Sequence, residues 1–338
     1  MKRLLLANLP TPIQQPKRLS DLLGVDLWVK RDDATGGPEG GNKIRKLEYL
    51  LADALEQGCD TVITCGGIQS NHARATATLA AALGLKAVLL LSESSIENDG
   101  EGGGVEPAPD QMVGNLLLDL MVGADVRLIS PASYQRRGEV MRDAADLLRA
   151  DGAKPYVIPE GGSNGLGALG YVEAMAEVAR QLDDGVAGGR PFDVIVHACG
   201  SGGTAAGAAL GASHYGVAGE LQAMAVCNDV DYFERKIGTI IEESRSLMPE
   251  LGAPARWTVD ESAKGPAYGV STPPQRARMI EAAQWSGLVF DPVYTGKAFF
   301  GLWEQCESGR FDGKRVLFIH TGGLPGLLAQ ASTMSAHF

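Results

Sequence analysis

DVIVHACGSGGTAAGAALG, residues 193–211, is the stretch on which the fold turns. A short, largely β-branched and apolar run at 193–198 leads into Gly200, Ser201, Gly202 and Gly203, and an alanine-rich helical pattern follows. A strand with apolar residues on both faces belongs to a parallel sheet covered on both sides, and a short turn into a helix makes it half of a βαβ unit. The missing side chains at Gly200, Gly202 and Gly203 let backbone N–H groups close around an anion, with the helix dipole and the Thr204 hydroxyl adding to the cradle. A phosphate site is the natural expectation; close packing of helix on strand without any ligand is the alternative. The turn is not a P-loop, since no G-x-x-x-x-G-K-[ST] occurs, and it lacks the G-x-G-x-x-G spacing of a dinucleotide site.

The same alternation extends outward. Short apolar runs at 61–64, 87–91, 126–130, 155–159, 221–226 and 315–320 read as further strands. Amphipathic patterns at 71–84, 111–122, 136–150, 166–182 and 273–287 read as helices, as does the series Ile44, Leu47, Leu50, Leu51, Ala54 and Leu55, which stops at Gly58. The fold class is therefore α/β with open, mostly parallel sheets, and 338 residues leave room for two domains. The polar, glycine-rich stretch 94–109 is expected to be a lid over a site or a disordered insertion, and 183–191 a surface connector.

A net charge of −11 excludes the basic footprint of a nucleic-acid binder. Five cysteines, odd in number and without a C-x-x-C pair, suggest neither zinc nor a redox couple and fit a reduced cytoplasmic setting; no metal is expected. The apolar run at the start ends at Leu6 with prolines beyond it, too short for a secretory h-region, and no stretch is long enough to span a membrane.

Two more glycine-rich junctions carry chemistry. In GGPEGGNKIRKLEYL, residues 36–50, a loop delivers Asn42 and Lys43 to the first turn of a helix. A cation is out of place there, because the dipole and free N–H groups oppose it. Lys43 is either one solvated member of the cluster Lys43, Arg45, Lys46, or an amine whose lowered pKa suits it to Schiff-base formation. In TCGGIQSNHARATATLAAALG, residues 64–84, a strand ends in Gly66-Gly67 and turns through Gln69, Ser70 and Asn71 into a helix. Ser70 or Asn71 can serve as its N-cap, yet the loop sits at the carboxyl end of a parallel strand, where ligands of open α/β sheets bind.

In order, GGNKIRKLEYL, GGIQSNHAR, GSGGTAAG, DPVYTGK (residues 291–297) and HTGG (residues 320–323) resemble the family of D-cysteine desulfhydrases and 1-aminocyclopropane-1-carboxylate (ACC) deaminases. These are fold-type II pyridoxal 5′-phosphate (PLP) enzymes, related to tryptophan synthase β, and the resemblance spans Pro10 to Pro325. It implies a large cofactor domain, residues 1–47 plus 160–338, and a smaller inserted domain, 48–159. By it Lys43 would hold PLP as a Schiff base and act as base at the substrate Cα. Asn71 would bond the ring 3′-oxygen, and Gly200, Ser201, Gly202, Gly203 and Thr204 the phosphate. Gln69 and Ser70, with Asn71, would meet the substrate carboxylate, and Tyr268 and Tyr294 would flank the substrate.

ACC deaminases carry glutamate where Thr295 stands and leucine where Thr321 stands. A hydroxyl near the pyridine nitrogen leaves it closer to neutral than a carboxylate would, enough when a good β-leaving group departs. The resemblance thus implies α,β-elimination on D-cysteine by a cytoplasmic homodimer, with L-cysteate sulfo-lyase second and ACC deaminase third. A PLP-binding protein without catalysis, or an NAD oxidoreductase built on Gly200–Gly207 with Asp229 or Asp231 on the ribose, stand as readings of another class.

Overall fold

The computed structural model describes residues 1–92 and 112–338. The stretch 94–109 lies outside the described residues. Among those described, ten strands form two sheets. The larger contains β1 (Ile13–Gln14), β2 (Asp26–Lys30), β7 (Phe192–Cys199), β8 (Ala218–Ala225), β9 (Arg256–Asp260) and β10 (Arg315–Ile319), in the order β1-β2-β10-β7-β8-β9. The smaller contains β3 (Thr61–Gly67), β4 (Lys86–Ser92), β5 (Asp125–Ile129) and β6 (Pro155–Val157), in the order β5-β4-β3-β6. Every pairing is parallel except β1 with β2.

The continuous apolar runs are explained by cover on both faces. Along β7, Ile195 and Cys199 join one core layer while Val194, Val196 and Ala198 join the other; β10 divides likewise into Leu317 and Ile319 against Val316 and Phe318. Helices Gly165–Asp183, Gly203–His214 and Val230–Leu247 cover the first face, and Pro273–Ser286 and Thr295–Glu307 the second. In the smaller sheet, Val62, Leu89 and Leu91 pack with Ile44, Leu47, Leu50, Leu51 and Ala54 of the helix Asn42–Glu56, while Ile63, Cys65, Val88 and Leu90 meet Met141, Ala144 and Ala145. Each fully buried leucine there stabilises the packing by about 1.5–3 kcal/mol. The expected boundary at 47 and 48 falls inside the unbroken helix Asn42–Glu56.

The connector 183–191 runs over the surface as expected, exposed but for half-buried Val186 and buried Ala187, whose carbonyl accepts from Arg315 Nη2 at 2.7 Å. Lys43, Arg45 and Lys46 are not a solvated cluster: Arg45 and Lys46 are 1% exposed, and Lys43 is accessible only in part.

Candidate active site

Three strand ends converge. Gly67 ends β3, Gly200 follows β7 and Thr321 follows β10, so the loops gather at carboxyl edges, where open α/β sheets bind ligands. The helix of Lys43 is docked onto this edge: the Asn42 N–H donates to the Thr321 carbonyl at 3.1 Å, and Gly41, at φ 116, approaches that carbonyl so closely that a Cβ would stand 2.9 Å from it. Gly202, at φ 83, makes the turn into the helix Gly203–His214, whose first N–H donates to Ser163 Oγ at 3.2 Å.

A cavity of about 590 Å³, well within the ~300–1,000 Å³ of small-molecule sites, is lined by Lys43, Ser70, Gly200, Ser201, Tyr268 and Tyr294 among others. An adjoining recess of about 20 Å³ adds Asn71, Gly202, Thr204 and Thr321. Lys43 lines both, which joins the amine to the glycine turn. Burial lowers its pKa to about 8, with Cys199 and Glu160 pulling the other way.

Not every expected residue faces the cavities. Ser70 is the N-cap of Asn71–Ala82, its Oγ accepting from the Ala73 N–H at 3.2 Å, and it lines the larger cavity as well. Asn71 Oδ1 accepts from Asn115 Nδ2 at 3.1 Å. Gln69 is turned away, donating to the Val113 carbonyl and accepting from the Asn115 N–H at 2.8 Å. Gly203 borders neither space with its own atoms but supplies the turn's last N–H. Of the two threonines, only Thr321 faces the recess. Thr295 Oγ1 donates to Asp291 Oδ1 at 2.6 Å and accepts from the Asp291 N–H at 2.9 Å, so its hydroxyl is spent locally. Asp229, weighed above as a ribose partner, is the N-cap of Val230–Leu247 and accepts from the Tyr232 N–H.

Further residues shape the site; of these His72 was a pocket candidate from the sequence, beside Gln69, Ser70 and Asn71, and it lines the larger cavity. Lys46 is buried, and its ammonium donates to two neutral acceptors, the Gly161 carbonyl and Ser163 Oγ, each at 3.2 Å. Burial, and then the neighbouring Lys43, hold its pKa well below the lysine range. A Cβ on Gly203 would lie 3.0 Å from Lys46 Nζ, so this cation sits at the head of the Gly203–His214 helix, where the dipole also repels it. His72, kept neutral by burial and then by Lys43 and Lys46, pairs its Nε2 with Thr64 Oγ1 at 2.9 Å. Arg74 holds the loop before Lys43 through the carbonyls of Pro38 and Gly40, the latter at 2.9 Å. Glu160 receives Tyr134 Oη and Arg137 Nε at the cavity wall.

A buried lysine with neutral partners at a helix N-terminus, Lys46, calls for an anion; the Lys43 amine of lowered pKa beside it calls for a carbonyl. PLP carries both groups, and the residues present fit it. A family model described as pyridoxal-phosphate-dependent enzyme matches residues 4–322. The chain belongs to this family of PLP-dependent enzymes. The enzyme is 42% identical to the bifunctional D-cysteine desulfhydrase/1-aminocyclopropane-1-carboxylate deaminase of Arabidopsis thaliana, over 98% of this chain and 80% of that one. It is 41% identical to the D-cysteine desulfhydrase of Yersinia pestis, over 97% and 95%. A solved structure of an ACC deaminase homologue superposes on the PLP enzyme with a TM-score of 0.87 at 36% identity, covering 100% of this chain and 97% of that one. The dinucleotide alternative falls with the family assignment. No described helix is long and apolar enough to cross a membrane.

Proposed function

We propose that the enzyme catalyses α,β-elimination on a small amino acid bearing sulfur at Cβ, D-cysteine first, releasing pyruvate, ammonia and sulfide. The observation that carries this is one cavity holding the Lys43 amine, its pKa lowered to about 8, together with the hydroxyl pair of Tyr268 and Tyr294. PLP, when bound, supplies an electron sink for the charge left at Cα. The protein supplies everything else. Lys43 Nζ takes the Cα proton, a base matched to near-neutral pH. The Tyr268–Tyr294 pair, with hydroxyls 2.6 Å apart, gives a proton to the departing sulfur, so that the C–S bond breaks with release of hydrogen sulfide rather than of the hydrosulfide anion. Ser70 Oγ and the N–H groups at the start of its helix orient the substrate carboxylate. Gly202, Gly203 and Thr204, with Lys46 behind the turn, would hold the phosphate, and Thr321 would take the role toward the ring nitrogen first given to both threonines.

The names of the Arabidopsis and Yersinia relatives support sulfur elimination, and the first of them also supports ACC deamination as a second reading. Chemistry separates the two, because ACC carries no hydrogen at Cα for Lys43 to take. The reading includes a homodimer in the cytoplasm, and a cofactor domain of 1–47 plus 160–338 with 48–159 inserted. A keto-acid and ammonia release assay on D-cysteine, L-cysteine, L-cysteate, D-serine, β-chloroalanine and ACC, with sulfide and sulfite measured separately, tests it. Fastest turnover on D-cysteine with stoichiometric sulfide is expected; ACC as the best substrate overturns it, and sulfite from L-cysteate would install the sulfo-lyase instead. Light scattering checks the dimer.

A further inference from the structure

Lys297 stands in the first turn of the helix Thr295–Glu307, where the dipole opposes a cation, and it is 0% exposed. Its ammonium donates to three backbone carbonyls: Lys264 at 2.7 Å, Ala267 at 2.8 Å and Val226 at 3.3 Å. None of these carries a formal charge. The Asp291 carboxylate, close enough to be felt electrostatically, is committed elsewhere, Oδ1 to the Thr295 N–H and hydroxyl, Oδ2 to the N–H groups of Val293 and Tyr294. A cation surrounded by inward-pointing carbonyl oxygens is the arrangement by which proteins replace the hydration shell of a monovalent ion. Ammonium and potassium are close in size.

The three carbonyls belong to segments that each present residues to the larger cavity. Val226 directly precedes Cys227 and Asn228, and Ala267 is itself a lining residue that directly precedes Tyr268. The residue that precedes and caps the helix of Lys297 is Tyr294. One ammonium thus ties the chain on both sides of the Tyr268–Tyr294 contact.

We propose that Lys297 is a tethered monovalent cation, a positioning residue that fixes Tyr268 against Tyr294, and that removing its charge opens a site for a free ion of the size of potassium. The positioning role rests on the proposed contact of the two tyrosines with substrate. The cation role does not.

The test compares wild-type and Lys297→Met holoenzyme in tetramethylammonium buffer with added potassium, ammonium or lithium chloride. A small displacement of reacting groups can cost on the order of 100-fold in rate, so that loss in kcat/KM is expected for the variant, with at least ~10-fold recovered by potassium or ammonium but not by lithium. The melting temperature of the variant should rise with the same two ions. Wild type should be indifferent to all three. A variant as active as wild type without added ions, a loss that no cation restores, or a wild type that requires potassium would each overturn the proposal. Should Lys297→Met not fold in any salt, Lys297→Gln takes its place with the same expectations, and a lack of cation response there overturns it equally. The melting readout needs no substrate. If wild type released no keto acid from any amino acid, the functional reading would fail while the cation site was still decided.

Discussion

The hydroxyl oxygens of Tyr268 and Tyr294 lie 2.6 Å apart across 26 residues of sequence, with their rings edge to face at 5.8 Å and 73°. Tyr294 is pinned by its own N–H on Asp291 Oδ2 at 2.8 Å. A shared proton makes the pair one functional unit, so its members should not act independently. Tyr268→Phe and Tyr294→Phe are each expected to lower kcat about 10²-fold, the low end of acid–base contributions, while the double variant falls little further. Steady-state kinetics of the three variants on D-cysteine check this; fully multiplicative losses would mean that the tyrosines work separately.

Lys43 sets the pH dependence. Burial lowers its pKa to about 8, and only the neutral amine can accept a proton. Below that value the amine is increasingly protonated, so kcat should fall toward acid with a limb near 8 and level off above it. Lys43→Ala should lose both the limb and about 10²–10⁴-fold in rate. A pH profile of kcat for wild type, run in buffers without primary amines, measures the limb.

The fold was legible because its central strands carry apolar residues on both faces: Val194–Val196 of β7 and Val316–Ile319 of β10 run without a polar residue, and only cover on both faces makes that favourable. The strands passed over are those that break the pattern. Edge strand β9, RWTVD, alternates and is nowhere fully buried, and β2, DLWVK, opens with Asp26 and closes with Lys30. At the site, Lys43, Ser70, Asn71 and Thr204 were reachable because glycines and helix starts mark them, and Thr321 only through the family resemblance. Lys46 and Lys297 were not, since a lysine on a helix looks solvated until the partner segments, Gly161 and Ser163 for one and Lys264 and Ala267 for the other, are brought up by tertiary structure. Thr295 misled for the converse reason: its sequence position suited a ring contact, but Asp291, four residues earlier, claims its hydroxyl.

Arg45, two residues after Lys43, anchors the helix in a buried charge network. Its guanidinium reaches Asp32 through Nε at 2.8 Å and Nη2 at 2.7 Å, and Glu177 through Nη1 at 3.0 Å; Lys30 also pairs with Glu177, and Tyr171 donates to Asp32 at 2.6 Å. Arg45→Met would leave two carboxylates facing one lysine, at a cost of about 3–5 kcal/mol, read as a drop in melting temperature. The acid limb follows in sign. Burial pushes both carboxyls up, but Arg45 together with Lys30, and for Asp32 the Tyr171 hydroxyl, more than offsets it, so Asp32 and Glu177 titrate below their ordinary values of 3.8 and 4.5. Their contribution is full above those values and is lost as the pH falls through the lower, folded ones. The stability gap between wild type and Arg45→Met should therefore narrow below about pH 4.5. A constant gap down to pH 2.5 or so would show that packing, not charge, carries the difference.

Lys46 should show opposite signs in the two forms of the enzyme. Without cofactor its ammonium is buried among neutral acceptors at a helix N-terminus, beside the Lys43 amine, and such a charge costs stability. A phosphate in the glycine turn reverses this by giving the ammonium an anionic partner. Lys46→Met should thus raise the melting temperature of the cofactor-free protein. It should also weaken PLP binding by about 1.5–3 kcal/mol, on the order of 10–100-fold, the loss of one charge-assisted hydrogen bond. Melting both forms and titrating PLP by absorbance gives the two numbers independently. If the substitution destabilised the cofactor-free protein while leaving PLP affinity unchanged, Lys46 would be a packing residue, and the anion would have to be held by the turn and Thr204 alone.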